Sequence, residues 1–451
     1  MVPGTTKKRG GDWPTSKVLA LIVLPTVLIA NLLCLAWPSP PNPDVTLRQT
    51  VMFLRGHAQH DSWGPMRAAL DEFNAHPEQP LYERLFFDKR VKFQYPPSAL
   101  LPLKALATFG SPALISDRAL NAVSFVAIWL TAFLCARILL ASDPGAVRGG
   151  LDARWTMLMG VVLALLFFPL VRAFTLGQIQ AWINGLFAGA LYAWISGRTA
   201  ISGALVGLIC LIKPQLALLL AWGAVRRQWR FVGGAAAVIA TLGGLSLAIF
   251  GWRMHVEYLT VLRFIGQHGE VFVANQSVNG LLNRWVADGH AIVWNAGAFA
   301  PYVPLVHRGT VIASALLIGG CLFFRRRDHA AASGIDLGLA ALTFTMASPV
   351  SWDHHYGILA PIFALAFPLF RRFQPLGRVT QPLLLAAFVV AGSTIAATAL
   401  LAGSALTVLQ SYLFFAAMLV LLMLYRLRAV MAQRATAAAL STDEARVNVA
   451  A

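Results

Sequence analysis

The sequence predicts an all-α protein that crosses a membrane many times. Three observations carry that expectation. Hydrophobic residues make up 58% of the 451-residue chain and charged residues only 12%, whereas a soluble domain carries about 25% charged residues. Apolar stretches close to bilayer-crossing length recur from end to end, from KVLALIVLPTVLIANLLCLAW to PLLLAAFVVAGSTIAATALLAGS. The basic excess, a formal net charge of +17, falls largely in short clusters between those stretches.

The clusters TKKRG, RRQWR, FFRRRDH, FRRFQPLGR and YRLRAV read as cytoplasmic loops under the positive-inside rule, which argues against nucleic acid as a partner. Residues 1–16 are then a cytoplasmic N-terminus, and the transmembrane domain runs over 17–430. The first span, near 17–37, is too long for a cleaved signal peptide and lacks a small-residue cleavage site, so it reads as an anchor. Residues 38–95 form a first external loop, in which DSWGPMRAALDEFNAH reads as an amphipathic helix at the membrane surface. YPPSALLPLKALATFG is too short and too broken by proline to span, and is expected as a re-entrant or tilted piece. Further spans are expected near 115–141, 155–173, 177–195, 200–212, 214–225 and 231–251. A second large external loop covers 252–308. Spans near 309–325, 335–349, 354–371, 380–402 and 406–426 complete about twelve crossings, and a polar cytoplasmic tail, 431–451, is expected to be disordered. Within 200–225 a single helix kinked at Pro214 competes with two short ones; only two keep Arg198 and RRQWR on one face. Cys34, Cys135, Cys210 and Cys321 fall inside apolar runs and read as small core hydrophobes.

This topology sorts the polar chemistry to one face. Nine of the ten histidines (57, 60, 76, 255, 268, 290, 307, 354 and 355) fall outside, and only His329 falls inside. Polar groups at membrane depth are expensive and suggest a site. Asp61 opens the first-loop helix, where it suits an N-cap, since Asp accepts hydrogen bonds from free helix amides. The external acids Asp44, Asp71, Glu72, Glu78, Glu83 and Asp88 compete with it for any catalytic role. In SWDHH, His354 and His355 are neighbours, about 100° apart on a helix, and cannot both chelate one metal easily. A capping or interfacial role competes with donation of hydrogen bonds to a phosphate. Asp353 orients a neighbour or caps the next helix. Lys213 interrupts LICLIKPQLALLL beside Pro214; it either snorkels to the surface or supplies a fixed cation for an anionic headgroup, which Arg172 also suits. NQS at 275–277 matches the N-glycosylation pattern, but the preferred reading is amides that hold a polyol, with Arg284 as a further phosphate contact. There is no HExxH, HxxxH or HxxHH box and no Gly-rich phosphate loop, so a catalytic metal is not demanded and no nucleotide-sugar donor is expected.

Taken in order, these segments resemble the GT-C superfamily of polytopic glycosyltransferases, and within it glycosyltransferase family 87. The resemblance rests on Asp61, PLY at 80–82, FQYPPSALLPL at 93–103, TLGQIQ at 175–180, GALVGLICLIKPQ at 203–215, NQSVNGLLNR at 275–284 and SPVSWDHH at 348–355. It extends to about residue 370. Where the family often reads GQ, a hydrophobic residue and Asn, this chain has Gln180, with Asn184 later. The resemblance implies a GT-C fold and transfer of a sugar, mannose favoured, from a polyprenyl-phosphate donor to a lipid or glycan acceptor. The reaction would invert the anomeric centre at the external face of the plasma membrane. By position, Asp61 would be the general base; Lys213, His354, His355 and Arg172, with Arg284, would bind the donor phosphate. Gln178, Asn275, Gln276, Trp352 and Tyr95 would hold sugar or acceptor. No cofactor is implied beyond the donor substrate, and a divalent metal stays open. The rival reading is a secondary transporter or lipid flippase, although no internal repeat of the transporter kind is evident.

Overall fold

The computed structural model describes residues 13–36, 45–110, 112–143, 150–286, 292, 294–295, 297–324 and 333–450; Asp44, His290 and His329 lie outside them. The helices run in order as α1 (Thr15–Ala36), α2 (Thr46–Leu54), α3 (Trp63–Ala75), α4 (Leu101–Phe109), α5 (Asp117–Ser142) and α6 (Leu151–Leu165). They continue as α7 (Phe168–Thr175), α8 (Gln180–Ile195), α9 (Thr199–Ile212), α10 (Leu218–Val225), α11 (Trp229–His268) and α12 (Val278–Val286). The last are α13 (Pro304–Phe323), α14 (Gly334–Met346), α15 (Leu359–Phe373), α16 (Thr380–Gly392) and α17 (Tyr412–Ala450). Among the described residues the only β pairing is one isolated bridge, Asn275 with Trp352. The chain is an all-α, multi-pass membrane protein.

Each of the twelve expected crossings meets a helix, but among the described residues six helices are long and apolar enough to cross alone. They are α1, α5, α11, α13, the segment Asp353–Phe373 and the segment Thr407–Ala438. A seventh crossing exists if α6 and α7, bent by 57° to each other, are one span. The straight span expected over 155–173 is therefore broken: Phe167 is extended, and Pro169 in the first turn of α7 has no amide with which to continue α6. The remaining expected crossings are shorter helices. The second long loop, expected from 252, starts as a helical arm, 252–268, beyond a break at Gly251. Residues 431–450, expected as a disordered tail, continue α17.

The segment 200–225 is two helices. Lys213 is non-helical, Pro214 opens a 3-10 turn, and α10 follows. The rings of Trp194 at the end of α8, Trp222 near the end of α10 and Phe231 at the start of α11 lie 5.4–5.8 Å apart. Meanwhile α9 runs beside α11 so closely that a Cβ on Gly203 would sit 1.9 Å from the Phe231 carbonyl oxygen, the small-residue packing of membrane helices. Thus α9 leaves this end of the bundle, α10 returns to it, and Lys213 marks the tip of the hairpin.

At the end where α10 returns, Asp336 is fully buried at the start of α14. It accepts from Arg226 Nε at 2.8 Å and Trp222 Nε1 at 3.1 Å and forms an ion pair with Arg428 Nη1 at 2.8 Å, tying α10, α14 and α17 together. The candidate site lies at the other end, around Lys213.

Candidate active site

Two short loop contacts build the site. In the first, residues 59–62 lie along the turn that follows α7. The amides of Gln59, Asp61 and Ser62 donate to the carbonyls of Thr175, Leu176 and Gly177 at 2.9–3.1 Å. Gly177 has φ +69°, and a Cβ there would lie 2.1 Å from the Gln59 carbonyl oxygen. Only glycine permits both the left-handed backbone and the close approach. This is the physical content of GQ in TLGQIQ.

That docking sets Asp61 against Gln178, whose Nε2 donates to Asp61 Oδ2 at 2.5 Å. The Gln178 oxygen in turn accepts from Ser62 Oγ at 2.6 Å and Tyr95 OH at 3.2 Å. Ser62 also takes the Ile179 amide at 3.0 Å. Asp61 does not cap α3: the cap position belongs to Ser62, and no side chain there bonds a free helix amide. Asp61 is instead an exposed carboxylate held on one oxygen. Burial pushes the Tyr95 phenol well up, so it stays a neutral donor.

In the second contact, residues 274–276 pair with 351–353: Gln276 N donates to Ser351 O at 2.7 Å and Asp353 N to Ala274 O at 2.9 Å. This pins SWDHH against α7, which packs on the turn Asp353–Ile358. Arg172 on α7 is near enough for its charge to act on Asp353. The charges of Lys213 and Asp61 reach His354, and that of Lys213 also reaches His355. Asp61, Arg172, Lys213, His354 and His355 thus lie in one region. Lys213 Nζ donates to Gln180 Oε1 at 2.6 Å, and Gln180 Nε2 to Asn184 at 2.9 Å. The residue that departs from the family pattern therefore aims the lysine.

The histidines differ in what they can offer. His355 Nδ1 accepts the Trp352 amide at 3.2 Å, so the neutral ring carries its proton on Nε2 as a donor. His354 Nδ1 lies 3.2 Å from Asp353 Oδ1, a pairing that orients its ring. Its Nε2 is buried without a hydrogen-bond partner among the described residues.

Three expected ligands are placed otherwise. Asn275 gives its amide nitrogen to Glu270 O and Pro349 O and takes Ser351 N on its oxygen. Gln276 binds Val273 O, Gln410 O and Phe414 N. Arg284 binds Ser411 Oγ and Asn275 O, and burial pulls it down to about 10, so it remains a cation. All three are nearly fully buried. Their polar groups are used in fixing the loop, which leaves them positioning roles rather than sugar or phosphate contacts. Asp71 is exposed on α3, and the neighbouring Glu72 pairs with Arg84 and Lys89. Ser62 was not foreseen; adjacency to Asp61 was its only signal.

Among the described residues no group of three or more His, Cys, Asp or Glu gathers as a metal site. A hollow of about 1010 Å³ opens elsewhere, between α1, α5, α6, α15 and α16, and none of the site residues lines it. The site is defined by converging side chains, not by that hollow.

The arrangement is that of a multi-pass membrane protein with one exposed carboxylate and several basic side chains gathered at one end of its helical bundle. A model of glycosyltransferase family 87 matches residues 93–349, more than half the chain. The chain belongs to that family. It is similar to the polyprenol-phosphate-mannose-dependent alpha-(1-2)-phosphatidylinositol pentamannoside mannosyltransferase of Mycobacterium tuberculosis (strain CDC 1551 / Oshkosh). The identity is 27% over 244 residues, 52% of each chain. The Mycolicibacterium smegmatis protein of the same description is 28% identical over 298 residues, 62% of this chain and 63% of that one. A phosphatidylinositol mannoside mannosyltransferase of M. smegmatis is 27% identical over 291 residues, 61% of each. The chain spans about half to three-fifths of the length of these relatives. No solved structure matches.

Proposed function

We propose that the chain is an integral-membrane glycosyltransferase that moves a sugar, mannose favoured, from a polyprenyl phosphate to a lipid or glycan acceptor at the external face. The observation that carries this reading is the exposed Asp61 carboxylate, oriented by Gln178 and, like Lys213, close enough to His354 for its charge to act there. The printed names of the relatives support the donor class, and the basic clusters support the orientation.

In this reaction Asp61 takes the proton of the acceptor hydroxyl as its oxygen bonds to the anomeric carbon. The bond from that carbon to the phosphate oxygen breaks, and the electron pair leaves with polyprenyl phosphate. One displacement inverts the anomeric centre. The leaving phosphate gains negative charge in the transition state, so hydrogen bonds donated by Lys213, His354 and His355 stabilise it more than they stabilise the bound donor. Asp353 orients His354 and Gln180 aims Lys213.

The test is transfer by purified protein in lipid, offered polyprenyl-phosphate sugars with a lipid extract as acceptor. Transfer from one of them supports the reading. Specific donor binding without transfer from any would replace it with the transporter or flippase.

A further inference from the structure

The hollow of about 1010 Å³ between α1, α5, α6, α15 and α16 has no part in the transfer chemistry. Its deeper wall is apolar, with Ile22, Leu163, Phe363 and Phe388 contributed by four different helices. Protein interiors pack to crystal density and leave few voids wider than a water molecule. A hollow of this size and lining is shaped for a hydrocarbon occupant.

One end of it is polar. Arg371 and Arg372, in the last turn of α15, line that end together with Asp143, Asp152 and Gln381. Asp152 takes the Ser16 hydroxyl, and Asp143 is the residue at which α5 ends. Among the described residues Arg371 donates to neutral oxygens alone, Thr15 Oγ1 at 2.8 Å and Trp13 O at 2.6 Å. Arg372 lies over the Phe373 ring at 5.3 Å. Both guanidiniums are thus short of an anion. Gln381, in the first turn of α16, has an amide nitrogen buried without a hydrogen-bond partner among the described residues. Two cations and an orphan donor at the mouth of an apolar hollow match a phosphodiester and its ester oxygens above acyl chains.

The sugar donor belongs elsewhere. Helix α15 leads from the Asp353–Ile358 turn to Arg371 and Arg372, and its fifteen residues span about 22 Å. A donor phosphate held by Lys213, His354 and His355 is therefore at the opposite end of α15 from these arginines.

We infer that the hollow binds one diacyl phospholipid, with its phosphate on Arg371 and Arg372, its ester oxygens on Gln381 and its acyl chains against Phe363 and Phe388. Because Arg371 also holds the start of α1, the bound lipid joins α1 to α15 and α16. This site does not depend on the transferase reading and is measured without turnover.

The probe is palmitoyl-oleoyl phosphatidylglycerol added to the full chain in detergent, with bound lipid counted by native mass spectrometry. Wild type is expected to retain one lipid per chain and not to retain palmitoyl-oleoyl glycerol, which has the same chains and no phosphate. The double variant Arg372→Gln, Gln381→Leu weakens retention at least tenfold, the equivalent of one charge-assisted hydrogen bond. Ala364 also lines the hollow, and Ala364→Trp fills it without touching a polar group and abolishes retention. Without lipid the unfolding midpoints of both variants stay near wild type, and only wild type gains stability when the lipid is added. The double variant leaves the apolar wall intact and decides alone if Ala364→Trp does not fold. Retention that neither charge removal nor filling reduces overturns the site. Displacement of the phospholipid by a polyprenyl phosphate also overturns it and gives the hollow to the donor's chain.

Discussion

Gly177→Ala is the most revealing single substitution, because it leaves every polar group of the site in place and moves only the backbone that carries them. The left-handed conformation at φ +69° costs a residue with a Cβ about 1–2 kcal/mol. The larger effect is steric. The new methyl carbon would lie 2.1 Å from Gln59 O and 2.5 Å from its carbonyl carbon, against a contact distance of about 3.5 Å or more. The 59–62 segment must therefore retreat by roughly 1 Å, breaking its three amide bonds to 175–177 and carrying Asp61 away from Gln178. A misplacement of about 1 Å costs a reaction on the order of 100-fold in rate. The expected outcome is a kcat down about 100-fold, donor affinity within a few-fold of wild type, and an unfolding midpoint only a few degrees lower. These are read from initial transfer rates, donor titration and thermal unfolding in the same lipid. A Gly177→Ala protein that keeps more than a third of wild-type turnover would refute the claim that this docking places Asp61.

Lys213→Met removes a cation beside both histidines without introducing a new polar group. Donor affinity should fall about 10- to 100-fold, the equivalent of one charge-assisted hydrogen bond; an unchanged dissociation constant would remove Lys213 from the phosphate site. Asn275→Ala should act on folding rather than on sugar choice, because it strands the buried Ser351 amide, at about 1–3 kcal/mol. Lower thermal stability with unaltered selectivity among donor sugars is the expected pair of results, and a change of preferred sugar would restore Asn275 as a ligand. Asp336→Asn breaks the Arg226–Asp336–Arg428 cluster and should destabilise by about 3–5 kcal/mol. Donor affinity per folded molecule should not move, which a titration corrected for active fraction checks.

Hydropathy and loop charge carried most of the architecture, since bilayer length and the positive-inside rule act on composition alone. They also resolved 200–225: Arg198 and RRQWR required an even number of crossings, and the Trp194–Trp222–Phe231 cluster has that geometry. Span length was less legible, because a proline in a first turn, as at Pro169, breaks a helix without altering its hydropathy. At the site, the residues that converge are those whose type is costly in an apolar run: Asp61, Arg172, Lys213, His354 and His355. Asn275, Gln276 and Arg284 bond within their own loop for a physical reason. A buried loop must satisfy its own backbone, and amides and guanidinium serve that need as well as they serve a ligand. Ser62 and Gln180 act through contacts 33 to 117 residues distant, which no local pattern encodes.

The central claim is that Asp61 takes the acceptor proton, and Asp61→Asn tests it most directly. Asparagine keeps the shape and can still meet Gln178, but it cannot hold a proton at neutral pH. The measurement is single-turnover transfer from a bound polyprenyl-phosphate sugar, with donor binding recorded on the same sample. The account predicts donor binding within a few-fold of wild type and transfer slowed by about 100-fold or more, the range general-base removal produces. Wild-type transfer by Asp61→Asn would contradict it and move the base to another acid on the same loop, Asp71 first.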